Sequence, residues 1–254
     1  MRKLAILSLI TFVIIWEIAA YNSSTINYFV SSPLLSIEYA STHYVEILHA
    51  ALITSLETAI GFTIAIIISF TIMFVCLFYP PIYDFLLPVF VTSQILPIVT
   101  LAPLFIIIFG MGILSKIAMV ALMCFFPIFI NFSAGVNAVT KNTKDILYIY
   151  DASKVFTIFR IITPLSTPYI FAGLKVSTTM AIMGAIVAEF VGARDGLGKN
   201  LYLAPKNSQA ELMVCSIVFT IFLGWFLYKV IELFESFFGK WYKNNQSYLK
   251  EPSK

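Results

Sequence analysis

An all-α membrane protein of about six spans is the fold class this sequence predicts, and three observations carry the prediction. The 254-residue chain is 60% hydrophobic and only 11% charged, where a soluble domain carries about 25% charged residues. Its apolar residues gather into stretches at 4–20, 50–78, 86–109, 113–136, 169–190 and 212–233, each close to or beyond the roughly 20 residues that a helix needs to cross a bilayer. Its positive charges are distributed unevenly about those stretches, and such asymmetry sets the orientation of polytopic proteins.

The first stretch follows Arg2 and Lys3 and ends at Ala19-Ala20. That pattern also suits a secretory signal peptide. The length of the run and Glu17 near its end favour an uncleaved anchor. The connection 21–49 contains no Lys or Arg, whereas Lys141, Lys144, Lys154 and Arg160 follow the fourth stretch and Lys240, Lys243, Lys250 and Lys254 lie in the tail. With six spans, this excess puts both termini and the 141–168 connection in the cytoplasm. The formal net charge of +3 is then a topology signal rather than a nucleic-acid site. Lys116, Arg194, Lys199 and Lys206 are the positives left on the external side.

The second stretch is long enough to tilt. Glu57 within it, flanked by Thr54 and Thr58, is expected to be buried and paired, because a carboxylate in lipid must face protein or water. The turn before the third stretch holds Pro80 and Pro81. The third stretch contains Pro88, Pro97 and Pro103, each of which removes a helix hydrogen bond that a neighbour or water must replace. Two readings stand: a kinked packing helix, or a helix lining a polar path with Thr92, Gln94 and Thr100 as lining groups. Gly110 and Gly112 mark the turn into the fourth stretch, which Pro127 and Asn131 interrupt. Gly61, Gly173 and Gly184 suit close helix packing.

The connection 141–168 is amphipathic. Its sequence predicts two short helices with a turn at Asp151. Val155, Ile158, Phe159 and Ile162 follow helical spacing, and Thr163-Pro164 ends the pattern. An apolar face outside the bilayer points to docking on another protein. After the fifth stretch comes AEFVGARDGLG at 188–198. Glu189 there is read either as a carboxylate paired with Arg194 or as part of an external gate with Arg194 and Asp195.

Several chemistries are excluded. The run from Gly192 to Lys199 looks like a phosphate loop, but five residues separate Gly192 from Gly198, Asn200 follows Lys199, and no strand precedes it; the motif needs four residues and a Ser or Thr. Cys76, Cys124 and Cys215 have no metal or redox spacing and lie in apolar stretches. His43 and His49 do not form HExxH. We therefore expect no catalytic residues, no bound metal and no cofactor on this chain, and no internal repeat divides it. A channel or secondary transporter and a polytopic membrane enzyme are the alternative readings, separated by dependence on an outside ATPase.

QILPIVTLAPLFIIIFGMGILSK at 94–116, FFPIFINFSAGVNAV at 125–139, PYIFAGLKVS at 168–177 and AEFVGARDGLG at 188–198 together resemble the permease subunits of ABC importers of the nitrate/sulfonate/taurine branch, over residues 16–237. The resemblance implies the type I permease fold as one domain over 1–254: a core at 50–236, a cytoplasmic coupling loop at 138–168 and a basic tail at 237–254. It places Asp145 at the loop's acid position, Ile146 and Leu147 where the family has two alanines, Asp151 at the glycine position, then Ala152 and Ser153, and Pro164 at the proline. Asp is among the few non-glycine residues that accept a left-handed turn. The resemblance also implies a permease homodimer in the bacterial inner membrane, two cytoplasmic ATPase subunits that carry ATP and Mg, an extracytoplasmic substrate-binding protein, and alternating access. Gln94, Pro97 and Pro103 are the pathway candidates and Glu189, Arg194 and Asp195 the gate candidates. The solute belongs to a class that includes nitrate, sulfonates, taurine and vitamin-precursor pyrimidines.

Overall fold

Two neighbouring long helices run parallel, and this fixes how the chain crosses the membrane. The computed structural model describes residues 2–22, 30–149, 153–192 and 194–247, and every regular element among them is a helix. In order they are α1 (Arg2–Asn22), α2 (Pro33–Thr42), α3 (Tyr44–Phe78), α4 (Pro80–Ser93), a 3₁₀ turn (Ile98–Leu101), α5 (Ala102–Phe109) and α6 (Ile113–Ile149). A turn at Lys154–Phe156 and a π-helical stretch at Thr157–Ile162 then lead into α7 (Thr163–Gly192), α8 (Leu197–Leu203) and α9 (Ala210–Ser247).

Along α3 and α6, Gly61 faces Val120, the Ser69 hydroxyl donates to the Phe125 carbonyl at 3.2 Å, and Phe74 meets the Phe132 ring at 6.0 Å. The register climbs together, so α3 and α6 are parallel, and the α4–α5 pair between them must carry the chain back across. In α6 and α7 the register runs oppositely: the Ser177 hydroxyl donates to the Cys124 carbonyl at 3.2 Å, Gly173 faces Asn131, and Gly135 faces Tyr169. These two are antiparallel, and α9 returns against α7 through Gly224 near Ile182 and Phe171 near Phe238. Among the described residues, α3, α6, α7 and α9 are each long and apolar enough to cross a membrane, and the α4–α5 pair makes a fifth crossing. In α1 the apolar part is the shorter stretch Ile10–Asn22, so four to five of the six expected spans are found among the described residues.

The core lies where α3, α6 and α7 meet, with Phe129 and Phe132 fully buried. Phe90 from α4 stands edge-on to Phe125 and Phe129, both with centroids at 5.0 Å, the geometry that ring quadrupoles favour. In lipid, helix association depends on close packing rather than on expulsion of water. A Cβ added at Gly61 falls 2.6 Å from the Val120 Cβ and 2.8 Å from the Ile117 carbonyl. Gly61→Val is therefore expected to force α3 off α6 and lower the yield of monodisperse protein in detergent several-fold, read by size-exclusion chromatography.

Three expectations need correction. The third stretch is not one kinked helix over 86–109: α4 begins at Pro80, with the two prolines in its first turn, and the pair is bent by 90° at 94–97. Pro97 has no N–H to continue the ladder, and the N–H groups of Gln94, Ile95 and Leu96 each bond three residues back, to Val91, Thr92 and Ser93. The 141–168 connection does not open with a separate short helix, because α6 runs on to Ile149 with no proline between Pro127 and its end. Nor does Thr163-Pro164 end a helix. The π stretch re-phases the bonding so that Pro164 falls in the first turn of α7, where its missing N–H is harmless.

Candidate functional site

Three places gather the residues that sequence reasoning singled out. The first is the break in the α4–α5 crossing. Helix α4 rises about 20 Å from the turn at Tyr79 to the break at residues 94–97, less than the roughly 30 Å of a hydrocarbon layer. Thr92, Gln94, Pro97, Thr100 and Pro103 are all exposed there. A broken helix leaves backbone groups without helical partners. At membrane depth these are tolerated only against protein or a water-filled cavity. The break borders a recess of about 620 Å³ lined by Pro88, Val89, Thr92, Ser93, Ile95 and Leu96.

The second place is a buried polar cluster at the opposite end of the bundle from the 141–168 connection. The Glu189 carboxylate does not pair with Arg194, which is exposed. One oxygen of Glu189 accepts from the Thr54 hydroxyl at 2.6 Å and the other from the Gly198 N–H at 2.5 Å, while the Leu197 N–H donates to the Thr54 hydroxyl oxygen at 2.9 Å. A carboxylate from α7 thus caps the start of α8, whose own first residues offer no side-chain cap. Helix N-termini carry unsatisfied N–H groups and partial positive charge, which a carboxylate complements. The glycine spacing follows from this. Gly196 has φ +128°, and a Cβ on it would lie 2.3 Å from the Glu189 carboxyl carbon; one on Gly198 would lie 2.8 Å from the Glu189 Cβ. Beside this network the Lys116 ammonium sits 3.1 Å from Glu57, both nearly inaccessible to solvent. Asp195 lies outside the cluster, 3.5 Å from Lys199 on the surface.

Sequence reasoning anticipated a buried, paired Glu57 but not its partner. It also missed Thr54 as the bridge to residues 197 and 198. The signal for Lys116 was present: a lone lysine in the first turn of a span, on a chain with buried intramembrane glutamates.

The third place is the end of the 141–168 connection. Asp145 lies in the backbone of α6, and Asp151 and Ala152 fall outside the described residues. Ser153 caps the turn that follows, its hydroxyl accepting from the Phe156 N–H at 3.3 Å. The apolar stripe divides. Ile158 and Ile162 are buried against the chain's own helices, and the Phe159 ring stacks on Phe74 at 5.2 Å, half exposed. Val155 is 57% exposed and Phe156 is 53% exposed. Phe156, in the α-helical turn just before the π-wound stretch, was not on the predicted face. The Lys154 ammonium donates to the Phe78 carbonyl at 2.5 Å, a favourable position for a cation at a helix C-terminus. This segment is thus bolted to the ends of α3 and α7, with Pro164 in the first turn of α7. Among the described residues no group of His, Cys, Asp and Glu could hold a metal.

The family described as "Binding-protein-dependent transport system inner membrane component" matches residues 61–244. The chain is 27% identical over 218 residues to a probable ABC transporter permease protein of Haemophilus influenzae, covering 86% of this chain and 89% of that one. It is 29% identical over 189 residues to the formylaminopyrimidine transport permease protein ThiX of Halalkalibacterium halodurans, covering 73% and 74%. It is 30% identical over 145 residues to the putative aliphatic sulfonates transport permease protein SsuC of Bacillus subtilis, covering 57% and 52%.

Proposed function

Since this chain belongs to the family of binding-protein-dependent transport system inner membrane components, we propose that two copies of it form the solute pathway of an ATP-driven importer, with each copy gripped by a separate ATPase through residues 141–168. The chain is an ABC importer permease subunit and a multi-pass membrane protein. In the proposed assembly the 141–168 face, the N-terminus and the basic tail lie in the cytoplasm, and α8 with the Glu189 network faces an extracytoplasmic substrate-binding protein. ATP and Mg belong to the ATPase partners. The solute is a small molecule of the class transported by the relatives, whose names give formylaminopyrimidine, riboflavin, aliphatic sulfonates and nitrate.

The observation that carries this reading is the rigid seating of an exposed apolar surface. Val155 and Phe156 face outward, while Lys154, Ile158 and Ile162 fasten the same turns to α3 and to the core. A lever requires both properties. Force applied at the exposed residues is passed into α7, and α7 carries Glu189 and the α8 cap at its far end. Rigid elements with two packed arrangements, rather than flexible loops, are what alternating access needs. Asp145, Asp151, Ala152, Ser153 and Pro164 complete the proposed grip, and Gln94, Pro97 and Pro103 the proposed pathway wall. Glu189 holds the external end together, with Arg194 and Asp195 on the surface that meets the binding protein.

Reconstitution tests the reading. Proteoliposomes containing this chain with its neighbouring ATPase are expected to hydrolyse ATP several-fold faster when the loaded binding protein is added, and to accumulate solute only with ATP inside the face that binds the ATPase. Solute movement by the chain alone, without ATPase or ATP, establishes the channel or secondary-transporter alternative instead.

A further inference from the structure

We infer that Glu57 and Glu189 form a proton-binding site, in which the two buried carboxyl groups share one proton and Lys116 balances the charge that remains. Every group the site needs comes from one copy of this chain.

The contacts come first. Glu57 on α3 and Glu189 on α7 are both fully buried, and their carboxyl groups lie within hydrogen-bonding reach of each other. Glu189 is served on both oxygens, by the Thr54 hydroxyl at 2.6 Å and the Gly198 N–H at 2.5 Å. Glu57 is not. The Lys116 ammonium stands 3.1 Å from its Oε1, and among the described residues no donor reaches its Oε2. An ionised carboxylate only accepts, whereas a protonated one also donates. Two ionised carboxylates here would leave a buried acceptor unserved and set like charges against each other. Carboxyl groups that share a buried site relieve both costs by keeping one proton between them. That proton belongs to the pair and not to either residue.

The charge count agrees. Two carboxylates against one ammonium leave one negative charge buried, and one proton brings the cluster to neutrality. The other ionisable groups at this end are turned elsewhere. Lys199 pairs with Asp195 at 3.5 Å on the surface. Glu211 of α9 accepts from the Ser31 hydroxyl at 3.4 Å. Glu46, His49 and Arg194 are exposed, and α5 carries no ionisable residue. The shared proton therefore ties α3 to α7 directly, to α6 through Lys116 and to α8 through the Glu189 cap. Its release breaks one O–H bond and passes the proton to water. The two anions left behind repel, and the cap on α8 loosens with them.

The test uses the full chain in detergent. At neutral pH its infrared spectrum is expected to show the carbonyl stretch of a neutral carboxyl group, shifted in D₂O and missing from Glu57→Gln. The Gln side chain keeps an acceptor for Lys116 and a donor for Glu189, and it leaves one anion against one cation. In the unfolded chain both carboxyl groups have lost their protons above about pH 5. The folded pair still holds one there, so stability falls as pH rises. The unfolding constant of the parent is expected to gain about tenfold per pH unit over Glu57→Gln until the pair gives up its proton. If Glu57→Gln does not fold, Glu189→Gln serves in its place. A parent without the neutral-carboxyl band overturns the inference, as does a parent whose pH slope equals that of the folded variant. Stabilisation by sodium exchanged for choline at constant ionic strength also overturns it, because the balancing charge is then a metal ion and not a proton.

Discussion

Lys116→Ala is expected to destabilise the folded chain by about 3–5 kcal/mol, the usual penalty for stripping one partner from a buried ion pair. The Glu57 carboxylate is fully buried and Lys116 nearly so, 3.1 Å apart. With the ammonium gone, Glu57 must either keep an uncompensated charge or take up a proton, and both cost free energy. The network next to it would feel the change, because Glu57 and Thr54 share one turn of α3, and Thr54 joins Glu189 to the Leu197 N–H. The double variant Lys116→Met with Glu57→Leu should recover most of the loss, since replacing a whole buried pair by apolar residues is often neutral. The measurement is the midpoint of unfolding in detergent, compared for the single and double variants. A single variant as stable as the parent, or a double variant no better than the single, would sink the claim that this pair holds α3 to α6 at the end that carries the Glu189 network.

The contrast between Lys116 and the AEFVGARDGLG run shows what the sequence made legible. The apolar stretches were readable because each residue reports its own preference for lipid, and each expected stretch falls within an observed helix or helix pair, several of which run well past it. Proline positions correctly marked the third stretch as unusual. They could not distinguish a kink from a 90° break, because that depends on whether bonds three residues back can close the turn at 94–96. Helix α6 outran its expected end because nothing in 137–149 stops a helix, and hydropathy measures lipid preference, not helicity.

The site residues were harder to read for a different reason. Glu189 was picked out as a costly carboxylate, but its partners come from 135 residues away at Thr54 and from a backbone N–H at Gly198. A charge in sequence suggests a countercharge nearby, so Arg194 was the natural candidate. The structure uses a helix N-terminus instead. The two glycines were the available clue. A positive φ at Gly196 and a carboxylate pressed against both glycines explain why the run needs them. At the 141–168 connection the predicted apolar stripe divides between the chain's own core and the surface, with Ile158 and Ile162 buried and Val155 and Phe159 exposed. The regular 3.6-residue period could not foresee the π winding at Thr157–Ile162, nor that Phe156 joins Val155 on the exposed side.

That division matters most for the second large effect, the loss of the ATPase on changing the exposed face. Val155→Glu with Phe156→Glu is expected to abolish co-purification of the ATPase in detergent, at least a hundredfold in affinity. An aromatic anchor removed from the centre of an interface weakens binding by about 30-fold or more on its own, and two buried carboxylates add the cost of desolvation. Folding should be spared, because both side chains point away from the chain and the seating contacts of Lys154 and Ile158 are untouched. Ile158→Ala supplies the contrast. Ile158 is 2% exposed, so its truncation should lower the unfolding midpoint, and any loss of ATPase should track the loss of folded protein. Substituting the predicted stripe at Ile158 and Phe159 would have mixed these two effects. If the Val155→Glu/Phe156→Glu chain stays monodisperse and still retains the ATPase, the grip lies elsewhere, and the lever built from residues 154–162 and α7 has no hand on it. If it stays monodisperse and loses the ATPase, coupling enters at an apolar patch fixed to α7, and motion there must reach the Glu189 network through a helix with no described break between Thr163 and Gly192.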